Sequence, residues 1–306
     1  MEPSGTIIHP SAPAPSEANR LIRWGPRVLD FRQKTFVMGI LNCTPDSFHA
    51  LSRLGTLREA VPAADDMIRA GADILDVGGE STRPGSDPVP VAEEIRRVVP
   101  VIEAIRAGGN VIISVDTRNR ETAERALDAG ADIVNDVSAL AYDPSMARLV
   151  AERGVPVVLM HMRGTPKTMQ AEAVYTDVVE EVLRELSASV DAAIAAGISR
   201  RRIIVDPGIG FAKGTEDNLR LLRGLSSLRA LGLPILVGLS RKRFIGEVTG
   251  LPVEERLAGT IAAGTIAVLG GADIVRVHDV AEAVAMVKMI DAVRGPGDRE
   301  AAWTGC

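Results

Sequence analysis

The sequence predicts a single closed (β/α)8 barrel, and three observations carry the prediction. The first is length: 306 residues fit two ordinary domains or one α/β barrel of roughly 250 residues with short ends. The second is alternation. Eight short, β-branched apolar runs are separated by amphipathic stretches, with no linker composition between residues 20 and 294. The third is a repeat, Gly-Ala-Asp-Ile, at Gly71–Ile74, Gly130–Ile133 and Gly271–Ile274. Glycine suits the left-handed residue that stops a helix, and the apolar run after it suits a strand buried on both faces. An open doubly wound sheet would ordinarily have five or six strands.

In chain order, the first 19 residues carry Pro3, Pro10, Pro13 and Pro15 among Ser and Ala, which reads as a disordered leader. Strands are expected at Val37–Leu41, Ile74–Val77, Val111–Val115, Ile133–Asn135, Val157–Met160, Ile203–Val205, Ile235–Val237 and Ile274–Val277. Helical periodicity runs through the intervening segments, for example Asp177–Ala196 and Asn218–Leu231. Two connections, Thr44 to Thr56 and Glu80 to Val91, exceed the usual βα loop and are expected to act as lids or binding segments. Residues 295–306, opening Gly295-Pro296-Gly297, read as a flexible tail.

Composition narrows the function. The chain is 46% hydrophobic and 25% charged, ordinary for a packed soluble protein. Its net charge of −5 supplies no basic field for nucleic acid or anionic lipid. The uncharged stretch Leu257–Ala272 is shorter than a membrane span of about 20 residues. Two cysteines, Cys43 and Cys306, make no disulfide framework, and no signal segment opens the chain, so a cytoplasmic location is expected.

Each expected strand ends in polar residues, and in a barrel those ends share one face. Asp116, Asn135 and Asp206 form an acidic and amide group there. A carboxylate at a barrel mouth accepts two N–H bonds from an amidine-like edge such as that of a pterin or guanine, Asn135 donates and accepts on the same ring, and Lys242 donates to a ring carbonyl or nitrogen. The alternative is that each carboxylate or amide caps the helix after its strand. Arg276 and His278, with Asn42 on the neighbouring strand, form a cationic group suited to phosphate, and an amide oxygen such as that of Asn42 suits Mg2+. The alternatives are a surface ion pair of Arg276 with Asp273 or Asp279, and a structural role for His278. His161 reads as a core histidine. Neither HExxH nor a Cys/His cluster occurs, and Gly208-Ile209-Gly210 lacks the third glycine of a dinucleotide fingerprint.

Met38-Gly39-Ile40-Leu41-Asn42-Cys43-Thr44-Pro45-Asp46-Ser47-Phe48 resembles the opening motif of dihydropteroate synthases, and Asp76-Val77-Gly78-Gly79-Glu80-Ser81-Thr82-Arg83-Pro84-Gly85 resembles their second. Val115–Thr117, Asn135–Val137, Asp206–Phe211, Ser240–Phe244 and Arg276–Asp279 follow in family order. The resemblance implies that 6-hydroxymethyl-7,8-dihydropterin diphosphate is condensed with 4-aminobenzoate to 7,8-dihydropteroate and diphosphate. It further implies a dissociative path in which diphosphate leaves before the amine attacks. By motif position, Asp116, Asn135, Asp206 and Lys242 would hold the pterin. Asn42, Arg276 and His278 would hold diphosphate, with Mg2+ on Asn42. Phe48, Thr82, Arg83, Pro84 and Ser240 would form the aminobenzoate pocket, and Arg83, Lys242, Arg276 and His278 would be the catalytic set. Sulfonamide sensitivity and a homodimer, with Ala258–Ala267 as a close-packing stretch, are also implied.

The first loop departs from the family pattern. After Phe48 the chain reads His49-Ala50-Leu51, with Ala50 where the family has an Asp beside the developing cation. Losing that carboxylate would cost a few kcal/mol of transition-state stabilisation unless Asp46 or Glu80 compensates. Two other readings share the acidic cradle: a methyltetrahydrofolate-dependent methyltransferase barrel, and a non-synthase paralogue that binds pterin. The anion-binding groups favour the synthase.

Overall fold

The apolar runs form parallel strands because each is flanked by helical segments that cover one face while the barrel interior covers the other. The computed structural model describes residues 20–44, 53–81 and 85–294. A hairpin comes first, β1 (Leu21–Trp24) and β2 (Arg27–Asp30), turning at Gly25 with φ +48°. The barrel strands are β3 (Phe36–Asn42), β4 (Ile74–Gly78), β5 (Ile112–Asp116), β6 (Ile133–Asp136), β7 (Val157–Met160), β8 (Ile203–Asp206), β9 (Leu236–Gly238) and β10 (Ile274–Val277). Their order is β8-β7-β6-β5-β4-β3-β10-β9, and a parallel bridge from Val205 to Ile235 joins the two ends. The barrel is closed as expected, and each strand lies within one or two residues of its predicted place.

The helices are α1 (Arg53–Ala70), α2 (Val91–Gly108), α3 (Arg120–Asp128), α4 (Met146–Arg153), α5 (Val178–Ala195), α6 (Thr215–Arg223), α7 (Arg243–Thr249), α8 (Leu257–Leu269) and α9 (Val280–Arg294). One expected helix, Asn218–Leu231, breaks in two. Gly224 ends α6, and a 3-10 segment continues over Leu225–Leu231. A Cβ at Gly224 would lie 2.8 Å from Val179, so the close approach of α5 requires glycine there, and glycine is a poor helix former. Among the described residues no helix is long and apolar enough to cross a membrane.

Side chains two apart on a strand share a face, which divides the interior into layers. The lower layer is apolar: Met38, Ile74, Ile112, Ile133, Val158, Ile204, Leu236 and Ile274 belong to one cluster. The hairpin supplies Ile22, Trp24, Leu29 and Phe31 to the same cluster, so it plugs the N-terminal end of the barrel. Phe31 meets Phe36 edge-on at 5.3 Å between ring centroids. Two residues further along the strands stand Asp76, Ser114, Asn135, Asp206 and Arg276. The floor of the site is therefore apolar and its walls polar.

The three repeats do one job. Gly71, Gly130 and Gly271 all adopt φ between +101° and +110°, as a left-handed helix stop demands. The Asp that follows accepts a backbone N–H from the neighbouring strand or its lead-in: Asp73 from Val37, Asp132 from Ile113 and Asp273 from Ile235, each at 3.0 Å. A basic partner faces each one: Lys34 for Asp73, Arg27 and Arg106 for Asp132, and buried Arg20 for Asp273.

Candidate active site

Register brings the strand-end residues together. Asp116 pairs in register with Gly78 of β4 and Asn135 of β6, and Asp206 stands opposite Met160 of β7. All three are buried, at 8%, 4% and 6% exposure. None caps a helix. Asn119 is the residue before α3, and Asp206 Oδ1 accepts Gly208 N–H at 2.7 Å to close a turn. The capping alternative is thereby set aside for these positions.

Arg276 projects from β10 into this cradle. Its Nε donates to Asp76 Oδ2 at 2.5 Å and a terminal nitrogen to Asp116 Oδ2 at 2.6 Å. Its partners are therefore neither Asp273, which is held by Arg20, nor Asp279, which Arg241 grips with two bonds of 2.9 and 2.7 Å. Asp76 is fully buried, and its Oδ2 also accepts Asn135 Nδ2 at 3.0 Å. Asp76 belongs to the second motif without an assigned role there, and its sequence signal is a carboxylate inside the apolar run Ile74-Leu75-Asp76-Val77. Burial pushes the carboxyls of Asp116 and Asp206 upward, while Arg276 pulls Asp116 back and Lys242 pulls Asp206 back. Burial lowers the Arg276 guanidinium, but Asp76 and Asp116 more than reverse that, so it stays charged.

Lys242 follows β9 and bends over the same cradle. Its ammonium donates to the carbonyl of Ile209 and lies 4.5 Å from the Phe211 ring centroid. Burial pushes it down to about 8 against the pull of Asp206. Ser240 is buried, and its hydroxyl meets His278 Nδ1 at 2.9 Å and accepts His278 N–H at 3.2 Å. The residue expected in the aminobenzoate pocket thus sets the imidazole expected on diphosphate. Glu80 pairs with Arg118 at 2.7 Å, and Arg118 stacks over Tyr142 at 4.1 Å. As a candidate substitute for the missing loop carboxylate, Glu80 already has a cationic partner.

A cavity of about 970 Å³ opens above these groups, lined by Asn42, Asp116, Phe211, Ser240, Lys242, Arg276 and His278 among others. That volume sits at the upper end for small-molecule sites and has room for two substrates. Phe48, Ala50, Thr82, Arg83 and Pro84 lie outside the described residues. Among the described residues no cluster of three or more His, Cys, Asp or Glu side chains could hold a metal by itself. Asn42 instead offers one hard oxygen on the cavity wall, which fits a hydrated Mg2+ that takes its other ligands from water and a substrate phosphate.

Comparison with known proteins agrees with the geometry. Residues 38–278 match the model of the family described as pterin binding enzyme. A dihydropteroate synthase of Synechocystis is 46% identical over 270 residues, spanning 88% of this chain and 93% of that protein. The dihydropteroate synthase of Xanthomonas albilineans, solved with 4-aminobenzoic acid, superposes with a TM-score of 0.84 at 46% identity, covering 90% of this chain and 98% of that one. The Yersinia pestis enzyme, solved in a sulfonamide drug complex, gives 0.85 at 40% identity over 90% and 99%.

Proposed function

The chain belongs to the pterin binding enzymes and, within them, to the dihydropteroate synthases, and from that premise we propose how its own residues divide the work. The reaction condenses 6-hydroxymethyl-7,8-dihydropterin diphosphate with 4-aminobenzoate, giving 7,8-dihydropteroate and diphosphate. Asp116, Asn135, Asp206 and Lys242 hold the pterin, and the observation that carries this is the buried Asp76–Asn135–Arg276–Asp116 network, whose Arg276 and Asp116 line the cavity wall.

The cradle does more than bind. A carboxylate facing a heterocycle that becomes positive stabilises the transition state more than the ground state, which is what accelerates a dissociative step. Arg276 keeps donors beyond the two bonded to Asp76 and Asp116, since a guanidinium has five N–H groups. Those donors and the imidazole of His278, steadied by Ser240, meet the leaving diphosphate. Bound Mg2+ would neutralise diphosphate charge at the oxygen of Asn42. The aniline nitrogen of 4-aminobenzoate is neutral near pH 7 and needs no strong general base; Arg83, Thr82, Pro84, Phe48 and Ser240 are assigned to its pocket. A cytoplasmic location belongs to the same reading, and among the described residues no helix is long and apolar enough to cross a membrane.

A homodimer is part of the same reading. Val248, Val253, Ile266, Met289 and Val293 are exposed on α7, α8, α9 and the α7–α8 turn. The small residues of Ala258–Ala267 are divided: Gly264 lies against Met286 of α9 within the chain, while Ala258 and Ala262 are exposed.

The deciding experiment follows diphosphate release with Mg2+, with and without 4-aminobenzoate, and identifies the product by mass. Release coupled to dihydropteroate is expected, with competitive inhibition by a sulfonamide. Uncoupled release would mean that the altered first loop fails to protect the cation. Pterin binding with no release would favour the non-synthase paralogue.

A further inference from the structure

Beside the cavity lies a buried ionic chain that the assignments above leave unused. Lys213 is 3% exposed, and its Nζ contacts three acceptors: His161 Nδ1 at 2.9 Å, the Gly208 carbonyl at 3.1 Å and the Phe211 carbonyl at 2.9 Å. An ammonium has three N–H donors, and each finds a partner. With Nδ1 accepting, His161 carries its proton on Nε2 and donates it to Glu185 at 3.0 Å. Burial and the neighbouring Lys213 hold the imidazole down to about 4, in keeping with a neutral ring. Arg163 in turn binds Glu185 and Glu181, and stacks over Tyr175 at 4.1 Å.

The chain ends on an unusual turn. Between β8 and α6, Gly208, Gly210 and Ala212 take φ of +66°, +83° and +48°, and Ala212 is a buried non-glycine in the left-handed region. A Cβ at Gly208 would collide with the His161 carbonyl oxygen. This turn presents Phe211 to the cavity, closes on Asp206 through Gly208, and offers the Ile209 carbonyl to Lys242. Such a shape persists only where its surroundings over-determine it.

We propose that Lys213 is a positioning residue: anchored by His161 and Glu185, it holds the 207–212 turn in the shape that presents Asp206 and Phe211 to the pterin substrate. The proposal rests on the assignment of Asp206 to the pterin. Lys213→Met, His161→Leu and the double variant test it by two readouts, hydrogen exchange of the turn amides without ligand and steady-state kinetics. The Lys213→Met turn should exchange about tenfold faster, the scale of losing a charge-assisted hydrogen bond. KM for the pterin diphosphate should rise about tenfold, with kcat at saturation far less affected. The double variant should be no worse than Lys213→Met, because both substitutions break one chain. A folded Lys213→Met enzyme with wild-type turn exchange and KM overturns the proposal, as does a loss confined to kcat. Should that variant not fold, Glu185→Gln, at a part-exposed carboxylate, must show the same split. If wild-type protein makes no dihydropteroate, the assignment of the reaction falls instead, and turn exchange still decides the role of Lys213.

Discussion

Asp76 is the residue on which the cradle pivots. One oxygen accepts both Asn135 Nδ2 and Arg276 Nε, so the orientations of a pterin-binding amide and an anion-binding guanidinium depend on it. Asp76→Asn keeps the shape and removes the charge. It should lower kcat/KM about a hundredfold, the scale on which preorganised electrostatic contacts act, measured on protein whose unfolding midpoint is checked in parallel. Activity within threefold of wild type would show that Asp116 alone orients Arg276. Asp116, Asn135 and Asp206 were legible in the sequence because a polar residue ending an apolar strand has few places to go but the barrel mouth. Asp76 left a signal, a carboxylate inside its apolar run, but its role was hidden because its partners Asn135 and Arg276 come from distant strands. The partners of Arg276 were also hidden, for they lie 200 and 160 positions away while Asp273 and Asp279 are close in sequence.

The repeated Asp of Gly-Ala-Asp-Ile shows what an element contributes beyond its own hydrogen bonds. Each one ties the start of its strand to the neighbouring strand or its lead-in at the end of the barrel remote from the cavity, where the tie serves stability rather than chemistry. Asp132→Ala should cost about 2 kcal/mol by urea unfolding, chiefly from one stranded backbone donor, because Arg27 and Arg106 reach solvent and keep backbone carbonyl partners. Asp273→Ala should cost about 3–5 kcal/mol, because it also leaves Arg20, 4% exposed, without its carboxylate. Equal losses would mean that Arg20 contributes nothing through its charge. The repeat and the eight strands could be read from the chain, since period and punctuation are local. The β1–β2 hairpin could not: its strands are four residues each, and its apolar face makes sense only against Met38, Ile74 and Ile274 from distant strands. The break at Gly224 was hidden for the same reason, as its cause is Val179 on another helix.

Over the whole molecule, buried ionisable groups around the cavity couple folding to pH in a definite direction. Burial holds Lys213 at about 7 and Lys242 at about 8, whereas an unfolded lysine titrates near 10.5. Between those values the unfolded chain binds more protons than the native one, so stability rises with pH there. Each group contributes at most about 1.4 kcal/mol per pH unit. Cys43 acts oppositely and later: burial pushes its thiol from 9.0 up to about 12, so above pH 9 the unfolded thiol ionises, the native one does not, and stability falls. On the acid side, Asp136 is raised to about 6 by burial, so stability declines as pH climbs from 3.8 to 6. His161, held down to about 4, opposes that decline by making stability rise between pH 4 and 6.5, so the acid side is mixed, while from pH 7 to 9 the two lysines set the sign and stability rises. Thermal unfolding at closely spaced pH values should show a midpoint several degrees higher at pH 9 than at pH 7. Lys213→Met should lessen that rise whatever its absolute midpoint, because the methionine has no proton to lose and only Lys242 remains to drive it. A wild-type midpoint that falls steadily from pH 7 to 9 would mean that the three acceptors around Lys213 hold its ammonium as firmly as water does, and that burial at this mouth carries no penalty for the charge.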